Sequence, residues 1–106
     1  MTNEEQRFHD DLIRRLDKAR DELAIDFKKM REAIATNTAV GAAKYFISPD
    51  RDGKLHEGLL SLARVNRTNL SLEQAVIDFK DEGLFTDAEV ASARARLYYA
   101  NQSGEK

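Results

Sequence analysis

Apolar residues near the start of the chain fall at Phe8, Leu12, Leu16, Ala19, Leu23, Phe27, Met30 and Ile34. Their spacings of 4, 4, 3, 4, 4, 3 and 4 form an eleven-residue repeat. Eleven residues fill three turns at ~3.67 residues per turn, so the stripe runs almost straight along an α-helix. The pattern predicts one continuous amphipathic helix from about Asn3 to Ala35, forming a first unit over residues 1–36. At ~1.5 Å per residue that helix would be ~50 Å long. A compact domain of this chain length has a radius of gyration near ~13 Å and a diameter of only ~33 Å. The mismatch leaves part of the stripe for another chain. The expected association residues are Phe8, Leu12, Leu16, Leu23 and Phe27, with a second copy as the first partner. Intramolecular packing of the same stripe is the competing reading.

The remaining residues, 37–106, read as a small helical domain. Thr36-Asn37-Thr38 interrupts the good helix formers and offers capping hydroxyls. Residues 39–47 then form a second, shorter helix, or a kinked continuation of the first, in which Gly41 and Ala42 would let another helix approach. Pro49 stops it, because Ser48 before it is pushed out of the α region, and Ser48 to Gly53 forms a turn. A further helix from about Lys54 to Val65 presents Leu55, Leu59, Leu60 and Ala63. The next carries Leu72, Ala75, Val76 and Phe79 inward and ends at Gly83, a left-handed cap. The last presents Val90, Ala93, Leu97 and Ala100, and a polar tail over 101–106 is expected to be disordered. Tyr45, Phe46, Phe79, Phe85 and Leu97 are the expected globular core. Tyr98 and Tyr99 are adjacent and cannot both face it.

Start signals reinforce these boundaries. Thr2 with Glu5, Ser71 with Gln74, and Thr86 with Glu89 have capping-box spacing, and Phe85 with Val90 is placed as a hydrophobic staple. No segment alternates like a strand, so the fold class is all-α: a long N-terminal helix, short middle helices and a C-terminal helical hairpin.

Charge and composition then narrow the function classes. Seventeen basic residues nearly cancel nineteen acidic ones, so no global positive field attracts nucleic acid or anionic membrane. Cysteine is absent, which removes disulfides and thiolate metal sites and fits a reducing cytoplasm. No apolar run resembles a signal peptide or a membrane span. The first helix has an acidic start and a basic end that suit its dipole. Asp10–Arg14 and Asp11–Arg15 have the spacing of favourable pairs on a solvated face.

Candidate chemistry is sparse. Ser48, Asp50 and Asp52 before Gly53 have part of the spacing of a calcium loop, but the twelfth position is Leu59 instead of a bidentate Glu. His9 and His56 are the two histidines. Neither has a ligand at i+4, so zinc has no local basis. Ser48 near His56 lacks the spacing of a nucleophile–base pair, and Gly41 to Lys44 lacks a phosphate-loop framework. These readings point away from an enzyme, a metal and a cofactor. The sharper alternative is a DNA-binding regulator using residues 71–100 as a helix-turn-helix, with Arg94 and Arg96 on the second helix. Against it stand the acidic turn residues Asp78, Asp81, Glu82, Asp87 and Glu89, and bulky Phe79 at the crossing.

The segment Phe79-Lys80-Asp81-Glu82-Gly83-Leu84-Phe85-Thr86-Asp87-Ala88-Glu89-Val90, followed by Arg94 and Leu97, resembles the short C-terminal domain (SHOCT) family. The likeness covers residues 71–100, with Val90 in place of the usual aromatic and Arg94 where Lys is common. The resemblance implies a small bihelical module for oligomerisation or interaction. Together these readings describe a non-enzymatic, cytoplasmic protein that acts by association, as an oligomeric adaptor, regulator or inhibitor of a partner protein.

Overall fold

The computed structural model of the chain describes residues 2–48 and 57–104. These residues form six α-helices and one 3₁₀ turn. In order they are α1 (Asn3–Leu23), α2 (Lys28–Asn37), α3 (Ala39–Ile47), α4 (Glu57–Arg64), the 3₁₀ turn (Thr68–Leu70), α5 (Leu72–Asp78) and α6 (Asp87–Gly104). The expected turn at Ser48 to Gly53 with its calcium-like residues, His56, and the start of the helix placed at Lys54 extend outside the described residues.

The N-terminal stripe does not lie on one helix. Helix α1 begins as expected: Thr2 Oγ1 accepts from the Glu5 amide at 3.1 Å, and Glu5 Oε1 accepts from the Thr2 amide at 3.0 Å. It stops at Leu23 because Ala24 takes a left-handed conformation, φ 57° and ψ 30°. The Ala24 amide folds back on the Arg20 carbonyl at 3.0 Å and the Ile25 amide on that of Ala19 at 3.3 Å, satisfying groups that the helix end would leave bare. The chain then bends over residues 24–27 before α2. The predicted continuous helix over 1–36 is therefore corrected to two helices and a link. Helix α1 has 21 residues and a length of ~32 Å, which fits molecular extents of 40 × 29 × 21 Å. The length mismatch that motivated an intermolecular stripe disappears.

Both halves of the stripe enter one core. Phe8, Leu12, Leu16 and Ala19 from α1 are fully buried, as are Ala42, Ala43 and Ile47 from α3 and Ala75, Val76 and Ala93 from α5 and α6. Met30 and Ile34 of α2 and Phe27 in the link belong to the same cluster. Phe8 meets the edges of Phe79 and Phe85 at 5.3 and 5.1 Å between ring centres, so the first helix closes over the C-terminal hairpin. Leu59 and Ala63 of α4 pack with Leu97 and Ala100 of α6 in a second cluster. Of the expected core aromatics, Phe85 is buried and Phe46 and Phe79 are half-buried, but Tyr45 is exposed.

Four backbone details refine the picture. Helix α5 ends at Asp78, and successive turns carry the chain to Gly83, whose φ of +77° supplies the expected left-handed residue five positions later. Thr38 closes α2 and opens α3, its Oγ1 accepting from the Gly41 amide at 3.1 Å, so residues 39–47 are a separate helix. The close approach expected at Gly41 occurs instead at Gly58. A Cβ on Gly58 would lie 2.2 Å from Phe27 Cε1, whereas Gly41 faces atoms of neighbouring Asn37 and Thr38. At the C-terminus, α6 runs through the tail expected to be disordered as far as Gly104.

Candidate interaction surface

The residues expected to bind a partner are not on the surface. Phe8, Leu12 and Leu16 have zero exposure, Phe27 retains 6%, and Leu23 is half-buried against the core. The fold spends this stripe on itself, so contact through it would require the core to open.

The charged face of α1 is more than a solvated surface. Arg15 Nε donates to Asp11 at 2.6 Å, while its Nη1 and Nη2 donate to the Asn69 carbonyl at 2.6 Å and to Asp78 at 2.7 Å. One guanidinium thus ties α1 to the 3₁₀ turn and to α5, using the forked geometry that suits Arg to such bridging. Arg7–Glu82, Glu22–Arg67 and Asp17–Arg31 pair α1 with other elements at 2.8, 3.2 and 3.0 Å. The expected Asp11–Arg15 pair forms. Arg14 also takes Asp11, and Asp10 accepts from Gln6 instead. A shallow cleft of about 430 Å³ lies along this seam, with Arg14, Lys18 and Gln74 on its walls, and its lining mixes both charge signs.

The start of α6 is tied to α3. Thr86 Oγ1 accepts from the Glu89 amide at 3.1 Å, and Glu89 Oε1 accepts from the Thr86 amide at 2.8 Å, completing the predicted capping box. The same Oε1 accepts from Lys44 Nζ at 2.9 Å. Burial opposes ionisation of Glu89, but Lys44 and the Thr86 bonds together outweigh it and hold the carboxyl below its ordinary value. Lys44 also lies 5.4 Å from the Phe85 ring centre. Farther along α6, Ser92 Oγ donates to the Ile47 carbonyl at 2.6 Å, and Arg96 is 7% exposed. Of the two arginines that a DNA-reading helix would use, Arg94 is exposed and Arg96 is inside.

What the surface does present is aromatic. Tyr45, Tyr98 and Tyr99 are 61%, 59% and 61% exposed. Tyr98 and Tyr99 pack edge to face on each other, with ring centres 5.6 Å apart. Adjacency excludes that both face the core; in fact both project from α6, because the inward positions are already filled by Leu97 and Ala100. Next to them on α6, a groove of about 360 Å³ is lined by Lys80, Asp81, Asp87, Val90, Ala91 and Arg94. Sequence reasoning missed this groove. Its trace in the sequence is small Ala91 set between Asp87 and Arg94 at helical spacing, beside the inward set. His9 is half-buried on α1, and no cluster of three metal-ligating side chains occurs among the described residues. No helix among them is long and apolar enough to cross a membrane.

The arrangement defines a small all-α protein whose most distinctive outward feature is the tyrosine-bearing face of its last helix. The chain matches no family model, no curated protein and no solved structure.

Proposed function

We propose that this protein acts by protein–protein association, first with a second copy of itself, as a small non-enzymatic adaptor, regulator or inhibitor in the cytoplasm. The observation that carries the proposal is the exposure of Tyr98 and Tyr99 side by side on a helix whose opposite face is already packed. A helix that is apolar on two sides has one side more than its own fold consumes. Tyrosines bury a large rigid ring at low entropic cost and keep a hydroxyl for a partner, and they are enriched at interfaces for that reason. The resemblance of residues 71–100 to the SHOCT family supports the same reading, since it implies an oligomerisation or interaction module. The surface that serves it is the outside of the C-terminal hairpin; the buried stripe of Phe8, Leu12 and Leu16 holds the fold together. Sedimentation equilibrium across the micromolar range tests the proposal. The expected result is a concentration-dependent mass above the 12.0 kDa of one chain. A single species of one-chain mass at every concentration would refute self-association.

A further inference from the structure

We propose that two copies of this chain pair through an antiparallel contact of α6 with α6, across a two-fold axis passing close to Ala91. The inference rests on the association reading above and assigns its surface. Asp87, Ala91, Arg94 and Tyr98 follow one another at steps of 4, 3 and 4 residues. At ~100° per residue they fall within about 60° of one helix face. All four are exposed, and Ala93, Leu97 and Ala100 point away from them into the core. Neither Asp87 nor Arg94 has an ion-pair partner among the described residues, so both charges are available.

The order of these residues is self-complementary. Asp87 and Arg94 sit at nearly equal distances on either side of the axis, each ~5 Å from it along the helix. An antiparallel second copy therefore brings Arg94 of each chain opposite Asp87 of the other, giving two reciprocal ion pairs. Reciprocity of this kind is what a two-fold interface demands. A parallel pairing would set Asp87 against Asp87 and Arg94 against Arg94, which charge repulsion disfavours. Ala91 at the crossing lets the two backbones approach. Tyr98 lies ~11 Å from the axis and reaches the Asp81–Gly83 turn of the other copy. That turn has room for it: nothing lies within 4 Å of where a Cβ on Gly83 would stand, and the groove beside it is walled by Lys80 and Asp81. The phenol can donate to the Asp81 carboxylate there. One helix pair of this length makes a small interface, so a dimer in the micromolar range is expected.

Charge reversal tests the pairing. Arg94→Asp gives a face carrying two acids, and Asp87→Arg a face carrying two bases. Each variant alone should dimerise at least tenfold more weakly than the parent chain in sedimentation equilibrium, with unchanged helical content by circular dichroism. Mixed in equal amounts, the two should recover a dimer at the parent's concentration range, because every contact across the axis is again opposite in sign. Tyr98→Ala should also weaken dimerisation at least tenfold. If the parent dimerises but all three variants do so equally well, association stands and this surface is wrong. If the single charge variants dissociate but their mixture stays monomeric, the antiparallel pairing is wrong. A parent chain that is monomeric throughout refutes both this inference and the reading on which it rests.

Discussion

Replacing Ala24 by glycine separates a broken first helix from a continuous one by the sign of the effect. Ala24 has φ 57°, ends α1 and is exposed, so its methyl group contributes no core packing that the change could remove. An L-residue with a side chain pays ~1–2 kcal/mol to sit in the left-handed region, whereas glycine sits there freely. Glycine also gains freedom in the unfolded chain, which takes back ~0.4–1 kcal/mol. The net expectation for Ala24→Gly is stabilisation of about 1 kcal/mol. For a domain near this size that corresponds to a rise in melting temperature of ~4–8 °C. Had the eleven-residue stripe built one helix through residue 35, Ala24 would be a mid-helix position, and glycine there would cost ~1 kcal/mol. The two readings differ by about 2 kcal/mol and in direction, well outside the error of a urea titration followed by circular dichroism. A lower midpoint for Ala24→Gly, with an unchanged slope, would refute the break at residues 24–27 and restore the long-helix argument for an intermolecular stripe.

Gly58→Ala should destabilise by about 1–2 kcal/mol: better helix propensity returns at most ~1 kcal/mol, but the new methyl meets the buried Phe27 ring at 2.2 Å, and overpacking costs ~1–3 kcal/mol. A second substitution, Phe27→Leu, should recover part of that loss, and equal or greater stability of Gly58→Ala alone would show that α4 does not press on the link. Glu89→Gln should lower stability on the order of 1 kcal/mol at neutral pH by removing the charge that Lys44 holds. Because folding depresses the Glu89 value below its ordinary 4.5, the stabilisation is complete above that pH and is lost as pH falls through the lowered value. The gap in melting temperature between parent and variant should therefore close under acid, and a gap that stays constant down to pH 2 would contradict the assignment.

Sequence and structure agree where the physics is local. The boxes at Thr2–Glu5 and Thr86–Glu89 formed in full because cap and partner are three residues apart on the same turn. At Ser71 only half formed: Gln74 donates its amide to the Ser71 hydroxyl, but its side chain bonds Asp78 instead. The inward set Val90, Ala93, Leu97 and Ala100 is buried as the spacing required. The break after Leu23 carried no glycine or proline to announce it. Apolar spacing runs through it undisturbed because Leu23 on α1, Phe27 in the link and Met30 on α2 pack into the same core. The burial of Phe8, Leu12, Leu16 and Phe27 within the chain has a related reason. A stripe shows that residues will be buried, not against which chain, and α3, α5 and α6 supplied the cover that the length argument denied.

By itself, the sequence determined that the chain is helical, where most helices start, and which residues seek burial, since caps, propensity and periodicity act over a few residues. Tertiary structure alone decided three things. It turned the first stripe at Ala24, so that both of its halves enter one core. It recruited Arg15 across 63 residues to Asp78, a partner that no local spacing encodes. And it put both Tyr98 and Tyr99 outside, where the spacing of α6 excluded only that both face the core. Both sides carry apolar residues; the one that met α4 and α5 was consumed, and Tyr98 and Tyr99 were left outside because the space within was already filled.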